Sequence, residues 1–324
     1  MQLTQKTIEI PCGTVSTLAW DGDELIDVTT NQRFGLDGKI TGTRFFLGYP
    51  FDRGLCLRMR DALWTLAYDN RGTKAVLLKN GTVHRELNRS YYIAKDFDYP
   101  IAFTVNEGGR ALVIHCPTSF DQLVFEDAET GETLLTKKSS KMEFHSRLAV
   151  SPDQTLVVSA GWFWHPVCGA WLFSPWSQQE VDEDFGFGSE MDSVAFLGND
   201  RLLVATNDEV VNEDVPLNEL GPLRLGVWSI PDKKWSSVAE LAQVTGTVMP
   251  WRDWVISFYD RPKAIDLGTG AIVHRWDGIY SGRQAGTLHL GEPVPPPIAL
   301  DPERGRFAVA GLHGISVILL DSVD

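Results

Sequence analysis

The segment "SRLAVSPDQTLVVSAG" (146–161) returns, in altered residues, as "PPIALDPERGRFAVAGLHG", which ends at Gly314. Each copy has an apolar strand, a Ser-Pro-Asp or Asp-Pro-Glu turn, and a second apolar strand that ends in small residues. A second unit follows the same logic: a strand ending in a turn residue, then Thr-Gly or Asn-Gly, then another strand. "AIDLGTGAIVHRW" (264–276) is its clearest case, with "VFEDAETGETLLT" (124–136) and "AVLLKNGTVHREL" (75–87) as further copies. Glycine at these turns supplies the positive φ that a tight hairpin needs.

Joining the two hairpin types gives units at 13–43, 44–88, 98–137, 144–176, 190–239, 244–277, and from 295 onward. Seven units of about 46 residues match the ~40–50-residue period of propeller blades. Convincing helical periodicity is absent, while short β-rich runs bounded by Gly, Asp and Asn recur throughout. The expected fold is all-β: one domain over 1–324, a seven-bladed β-propeller. The last unit supplies only three strands, so "KTIEIP" (6–11) is free to become its fourth, closing the ring and removing an exposed edge.

These hairpins resemble those of WD-repeat propellers. The phrases "LNRSYY", "FHSRLAVSPD" and "SAGWFWHP" are similar to those of a divergent bacterial WD-repeat-like family. The Trp-Asp dipeptide itself is mostly lost: Trp228 is followed by Ser229, and Trp20-Asp21 and Trp276-Asp277 fall on other strands. The resemblance implies a propeller with a buried set of hydrogen-bonded side chains in each blade. In the fourth blade His145, Ser159 and Trp171 occupy matching places, so their expected role is structural. It implies little about function, because propellers host many unrelated activities.

Charge narrows the partners. With 43 acids against 29 lysines and arginines, the formal net charge is −14, which argues against nucleic acid, since phosphate neutralisation needs clustered bases. Twelve acids and a single base, Arg201, fall between residues 180 and 219. Two long loops carry most of them, "WSQQEVDEDFGFGSEM" (176–191) and "NDEVVNEDVPLNELG" (207–221), and both are expected on one face of the disc. That face would attract a positively charged protein. Its candidate contacts are Asp182, Glu183, Asp184, Glu209, Glu213 and Asp214, with Trp162, Trp164, Tyr91 and Tyr92 as aromatic anchors. Solvated loop charge that aids solubility is the competing account of the same acids. The aromatic turn could instead fold back onto neighbouring loops.

Other chemistries have weaker signals. Asp182-x-Asp184 has Gly186 and Phe187 where a calcium loop would place a ligand and its glycine. His115, Cys116, His165 and Cys168 are suitable zinc ligands by type, but no tight Cys or His pair occurs. No nucleophile elbow, phosphate loop, His-Glu-x-x-His or dinucleotide fingerprint is present, so no cofactor is expected. A hydrolase-like or lactonase-like site on the propeller axis remains the enzymatic alternative, with no residue to assign. No signal segment or bilayer-length apolar run is found, and the four separated cysteines read as reduced thiols, so a cytoplasmic location without membrane attachment is expected. The reading that follows is a non-catalytic protein-binding module, in its sharpest form a toxin-neutralising immunity protein, with a general scaffold as the alternative.

Overall fold

A computed structural model describes residues 2–138, 144–163, 167–176, 183–184, 189–210, 220–289 and 291–323. Among them are seven four-stranded antiparallel sheets, six of which run in chain order from the axis outward. Blades 1 to 6 occupy 19–41, 53–88, 101–138, 144–184, 189–240 and 248–275. Blade 7 has inner strands Ile298–Asp301, Arg306–Ala310 and Gly314–Val323, and its outermost strand is Gln2–Pro11 from the opposite end of the chain. Ten consecutive residue pairs, from Gln2↔Val323 to Pro11↔Gly314, fasten this closure.

The core is a ring of seven apolar clusters, one between each pair of neighbouring blades. Side chains alternate across a strand, so an inner strand must be apolar on both faces. In Arg201–Val210, Leu202 and Val204 pack toward blade 4 while Leu203 and Ala205 pack toward blade 6. This explains uninterrupted runs such as "LLVA".

The turns follow from their residues. Asp266 Oδ1 accepts from the backbone N–H groups of Gly268 and Thr269 and from the Thr269 hydroxyl. Asp127 holds Glu129 and Thr130 in the same way. Asn80 (φ 51) and Gly81 (φ 78) form the two left-handed positions of a tight hairpin turn. Gly270 is bound more strictly, with φ 74 and the Glu240 carbonyl where a Cβ would stand.

One boundary differs from the expected unit. Blade 4 continues past 176 to a two-residue outer strand, Glu183–Asp184, paired with Leu172 and Trp171. The start of the 176–191 loop therefore joins the third and fourth strands and belongs to the opposite face of the disc. There the Trp176 indole N–H donates to the Gln154 carbonyl at 2.8 Å. The expectation that this whole loop shares the aromatic face fails, because a strand pairs within it.

Candidate functional site

The connections from second to third strands, and from each blade to the next, emerge on one side of the disc, called here the upper face. Thirteen large apolar side chains are strongly exposed among the described residues. Six lie on outermost strands: Ile40, Val83, Leu134, Val238, Ile272 and Val273. The other seven all lie on the upper face: Tyr91 (84% exposed), Leu312 (82%), Phe46 (77%), Tyr280 (54%), Val210, Tyr92 and Val294. None of them is on the lower face, which carries ion pairs such as Asp21 between Arg33 (2.7 Å) and Arg58 (2.5 Å), and Arg306 on Asp301 (2.8 Å).

The segment that presents Tyr91 and Tyr92 is organised by Arg89, which is buried. Its guanidinium donates to the carbonyls of Gly72, Asn70, Ala94, Phe97 and Asp98 at 2.6–3.3 Å, and stacks over the rings of Phe97 and Tyr99. Burial pulls its pKa down to about 10, so it stays charged at neutral pH. Beside it stands a column of rings. Phe144 lies between Phe120 (3.9 Å) and Trp162 (4.0 Å), all nearly parallel, and Tyr92 stacks on the Phe120 end at 5.6 Å.

Trp162 is thus no surface anchor: it is 5% exposed. The strand Val157–Phe163 runs further than its sequence suggested, and Trp162 sits between cross-strand partners Phe144 and Cys168. Tyr91 is exposed, and Tyr92 is half-exposed against the column. Glu209 is exposed at the top of its strand. Glu183 and Asp184 pair by backbone as an edge strand. Trp164, His165, Asp182, Glu213 and Asp214 lie outside the described residues.

In blade 4 the His145 Nδ1 is 2.8 Å from the Ser159 hydroxyl, and the ring lies parallel to Trp171 at 5.4 Å. Burial lowers the His145 pKa to about 3, against a smaller opposite pull from Asp121. A folded-state pKa below the unfolded ~6.5 means the unfolded chain binds the extra proton. Stability is therefore complete above ~6.5 and drains as pH falls from there toward 3. At pH 5 the expected loss from this residue is about 2 kcal/mol. Urea unfolding at pH 7.5 and 5.0 checks it: the drop should shrink by about that amount in His145→Gln.

The remaining candidates are engaged elsewhere. His115 Nε2 is 3.2 Å from Glu126, and the Cys168 sulfur accepts from the Thr287 hydroxyl at 3.3 Å. Among the described residues no three His, Cys, Asp or Glu side chains are grouped to hold a metal ion.

The residues that sequence reasoning missed form the centre of this face. The connection 276–297, between blades 6 and 7, crosses the axis rather than turning directly into the next blade. Its anchor is Asp98, whose Oδ1 accepts from Asn70 Nδ2 (2.6 Å) and contacts His289 Nε2 (2.8 Å). Its Oδ2 accepts from Gln284 Nε2 and Arg147 Nε, both at 2.9 Å. Burial alone would raise this carboxyl's pKa, but the charges of His289 and Arg147 and their hydrogen bonds outweigh it, holding it well below the usual carboxylate range. Asp192 is a second anchor: Oδ1 accepts from Gly286 N (2.8 Å), Oδ2 from the backbone N–H groups of Thr245 and Gly246 and from the Thr245 hydroxyl. Arg147 Nη2 also donates to the Gly286 carbonyl. The one available signal was length, since a connection of this size exceeds the ordinary few residues between strands.

With the geometry described, comparison with solved structures places the architecture. The WD40 domain of Neurospora crassa Pan2 aligns with a TM-score of 0.59 at 13% identity, covering 99% of this chain and 96% of that one. The fold is a seven-bladed β-propeller, as in that domain. At this identity the likeness to the WD40 domain concerns architecture alone. No protein-family model matches the chain, and no curated protein matches it. Among the described residues no helix is long and apolar enough to cross a membrane.

Proposed function

We propose that this WD40-like propeller is a non-catalytic protein-binding module that docks a basic protein on its upper face. The observation that carries this reading is the sorting of exposed apolar side chains. Every strongly exposed large apolar residue off the outermost strands, among those described, lies on that one face. Tyrosine and phenylalanine exposed amid polar loops are the usual anchors of a desolvated contact. Asp208 and Glu209 border them beside blade 5, at the start of the acidic loop 207–221, and negative charge there steers a cationic partner. In its sharpest form the partner is a bacterial toxin whose cationic surface is covered, in the manner of an immunity protein acting in the cytoplasm. A scaffold in a larger assembly is the alternative within the same reading.

The test is capture of a partner by the tagged chain from its host at low and high salt, with mass spectrometry of what co-elutes. A stoichiometric basic protein, released by salt, is the expected result. The double variant Tyr91→Ala, Tyr280→Ala should bind it at least ~10-fold more weakly, about 1.4 kcal/mol or more, with an unchanged urea midpoint. Capture that survives both salt and the double variant overturns the proposed face.

A further inference from the structure

Beneath the crossing segment lies a cavity of about 440 Å³ on the propeller axis, within the roughly 300–1,000 Å³ range of ordinary small-molecule sites. Pro295 and Pro296 help to roof it. Leu55, Ile101, Leu148, Ile298 and Leu300 from the innermost strands of blades 2, 3, 4 and 7 form apolar walls. Arg53, Tyr68, Asn70, Asp98, Arg147 and Gln284 supply its polar lining.

The balance of charge here runs against that of the whole chain. Asp98 and Arg147 form an ion pair, and each nitrogen of the Arg147 guanidinium donates once, to Asp98, the Asp192 carbonyl and the Gly286 carbonyl. Arg53 is different. It donates only to two carbonyls, Asp52 O (2.8 Å) and Pro295 O (3.2 Å), and has no ion pair among the described residues. Arg71, in the neighbouring turn and outside the cavity lining, donates through Nη1 to the Glu292 carbonyl, while its Nε and Nη2 are buried with no hydrogen-bond partner among the described residues. Burial lowers the Arg71 pKa, the nearby Arg53 charge adds to this, and Asp98 and Glu292 oppose it. The adjacent Asp52 carboxyl accepts from Asn70 N at 2.9 Å; burial raises its pKa, and the neighbouring Arg53 charge pulls it the other way. A chain with 14 surplus acidic charges thus keeps in the lining of an apolar channel the Arg53 guanidinium, hydrogen-bonded to two carbonyls and to no carboxylate among the described residues. A partly buried charge of this kind costs free energy unless an acceptor joins it.

We propose that the axial cavity binds a small molecule with a carboxylate head and an apolar body. Arg53 grips the head with Arg71 behind it, and the body lies against Leu55, Leu148, Ile298 and Leu300. A carboxylate matches the planar, forked donors of arginine, and its transfer from water is compensated by the charges waiting there. The site is separate from the protein-docking face and does not depend on it.

Calorimetric titration of the intact chain with octanoate, octanol and octylamine tests the proposal. Octanoate should bind, octylamine should not, and octanol should bind at least ~10-fold more weakly than octanoate. Arg53→Met should weaken octanoate at least ~10-fold, and Leu148→Trp, which fills the channel without touching the arginines, should abolish it. If Arg53→Met does not fold, Arg53→Gln is the replacement and the same loss is expected. Inorganic phosphate is the further probe, and tighter binding of phosphate than of octanoate would reject the apolar body. No octanoate binding up to about 10 mM, equal binding of all three probes, or full binding by the arginine and Leu148→Trp variants would each overturn the proposal.

Discussion

Asp98→Ala should cost about 3–5 kcal/mol of stability, because it removes one side of a buried ion pair and leaves the other uncompensated. Arg147 would retain two carbonyl partners and lose its only carboxylate among the described residues, while Asn70, Gln284 and His289 would lose theirs. The damage should concentrate in the connection 276–297, since Gln284 and His289 are the side chains that tie it to blade 3. Urea unfolding measures the first effect and limited proteolysis the second, with new cleavage expected between 276 and 297 in the variant alone. Asp98→Asn keeps the shape and removes the charge, so it should fall between wild type and alanine. The depressed pKa of Asp98 also sets a sign. Its contribution is complete above the unfolded carboxylate value near ~3.9 and is lost as pH falls through the folded value, so Asp98→Ala should flatten the acid limb of the stability curve. A loss under about 1 kcal/mol would mean that the crossing segment is held by Asp192 and backbone contacts instead.

Trp162→Ala should cost a comparable ~3–5 kcal/mol, the usual range for truncating a buried tryptophan. The indole stacks on Phe144 at 4.0 Å and packs with Phe97 and Cys168, so its removal opens one end of the ring column. Tyr92, at the far end of that column, should become more mobile, and the near-ultraviolet circular dichroism should weaken. An exposed tryptophan would give less than about 0.5 kcal/mol and an unchanged spectrum. The contrast with Tyr91→Ala is useful. That side chain stands 84% exposed and its loss should affect binding but not the unfolding midpoint.

The same two residues show where sequence reasoning succeeds and where it stops. The aromatic stretch around Trp162 was visible as unusual, but strand and turn were divided two residues too early. An apolar run beside Gly161 fits a hairpin tip as well as it fits a longer strand, and only the partners Phe144 and Cys168 decide between them. Asp98 had no local signal at all. Its partners Gln284 and His289 lie 186 and 191 residues away, and no spacing rule connects positions so distant. Arg89 was likewise passed over, since an arginine in a loop is ordinarily solvated; the five carbonyls around it face inward only because the 89–100 segment wraps them. The acidic stretch was legible as charge but not as geometry, because two residues within it, Glu183 and Asp184, pair with blade 4 and divide the segment between two faces.

The features legible along the chain are local and periodic. Short apolar, β-rich runs set the strands, Asp, Asn and Gly set the turns through side-chain acceptors and positive φ, and the repeat of these units set the seven blades. The missing fourth strand of the last blade even assigned a place to the N-terminus. The features that arose only on folding lie between blades: the crossing of the axis by 276–297, the charge-compensated Asp98 centre, the Arg53 guanidinium in the cavity lining, and the gathering of exposed aromatics on one face. The physical reason is range. Hydrogen bonds within a turn span two to five residues and leave a pattern in the chain, whereas the axis is reached by every blade at once and its chemistry is assembled from residues with nothing in common except their distance from the centre.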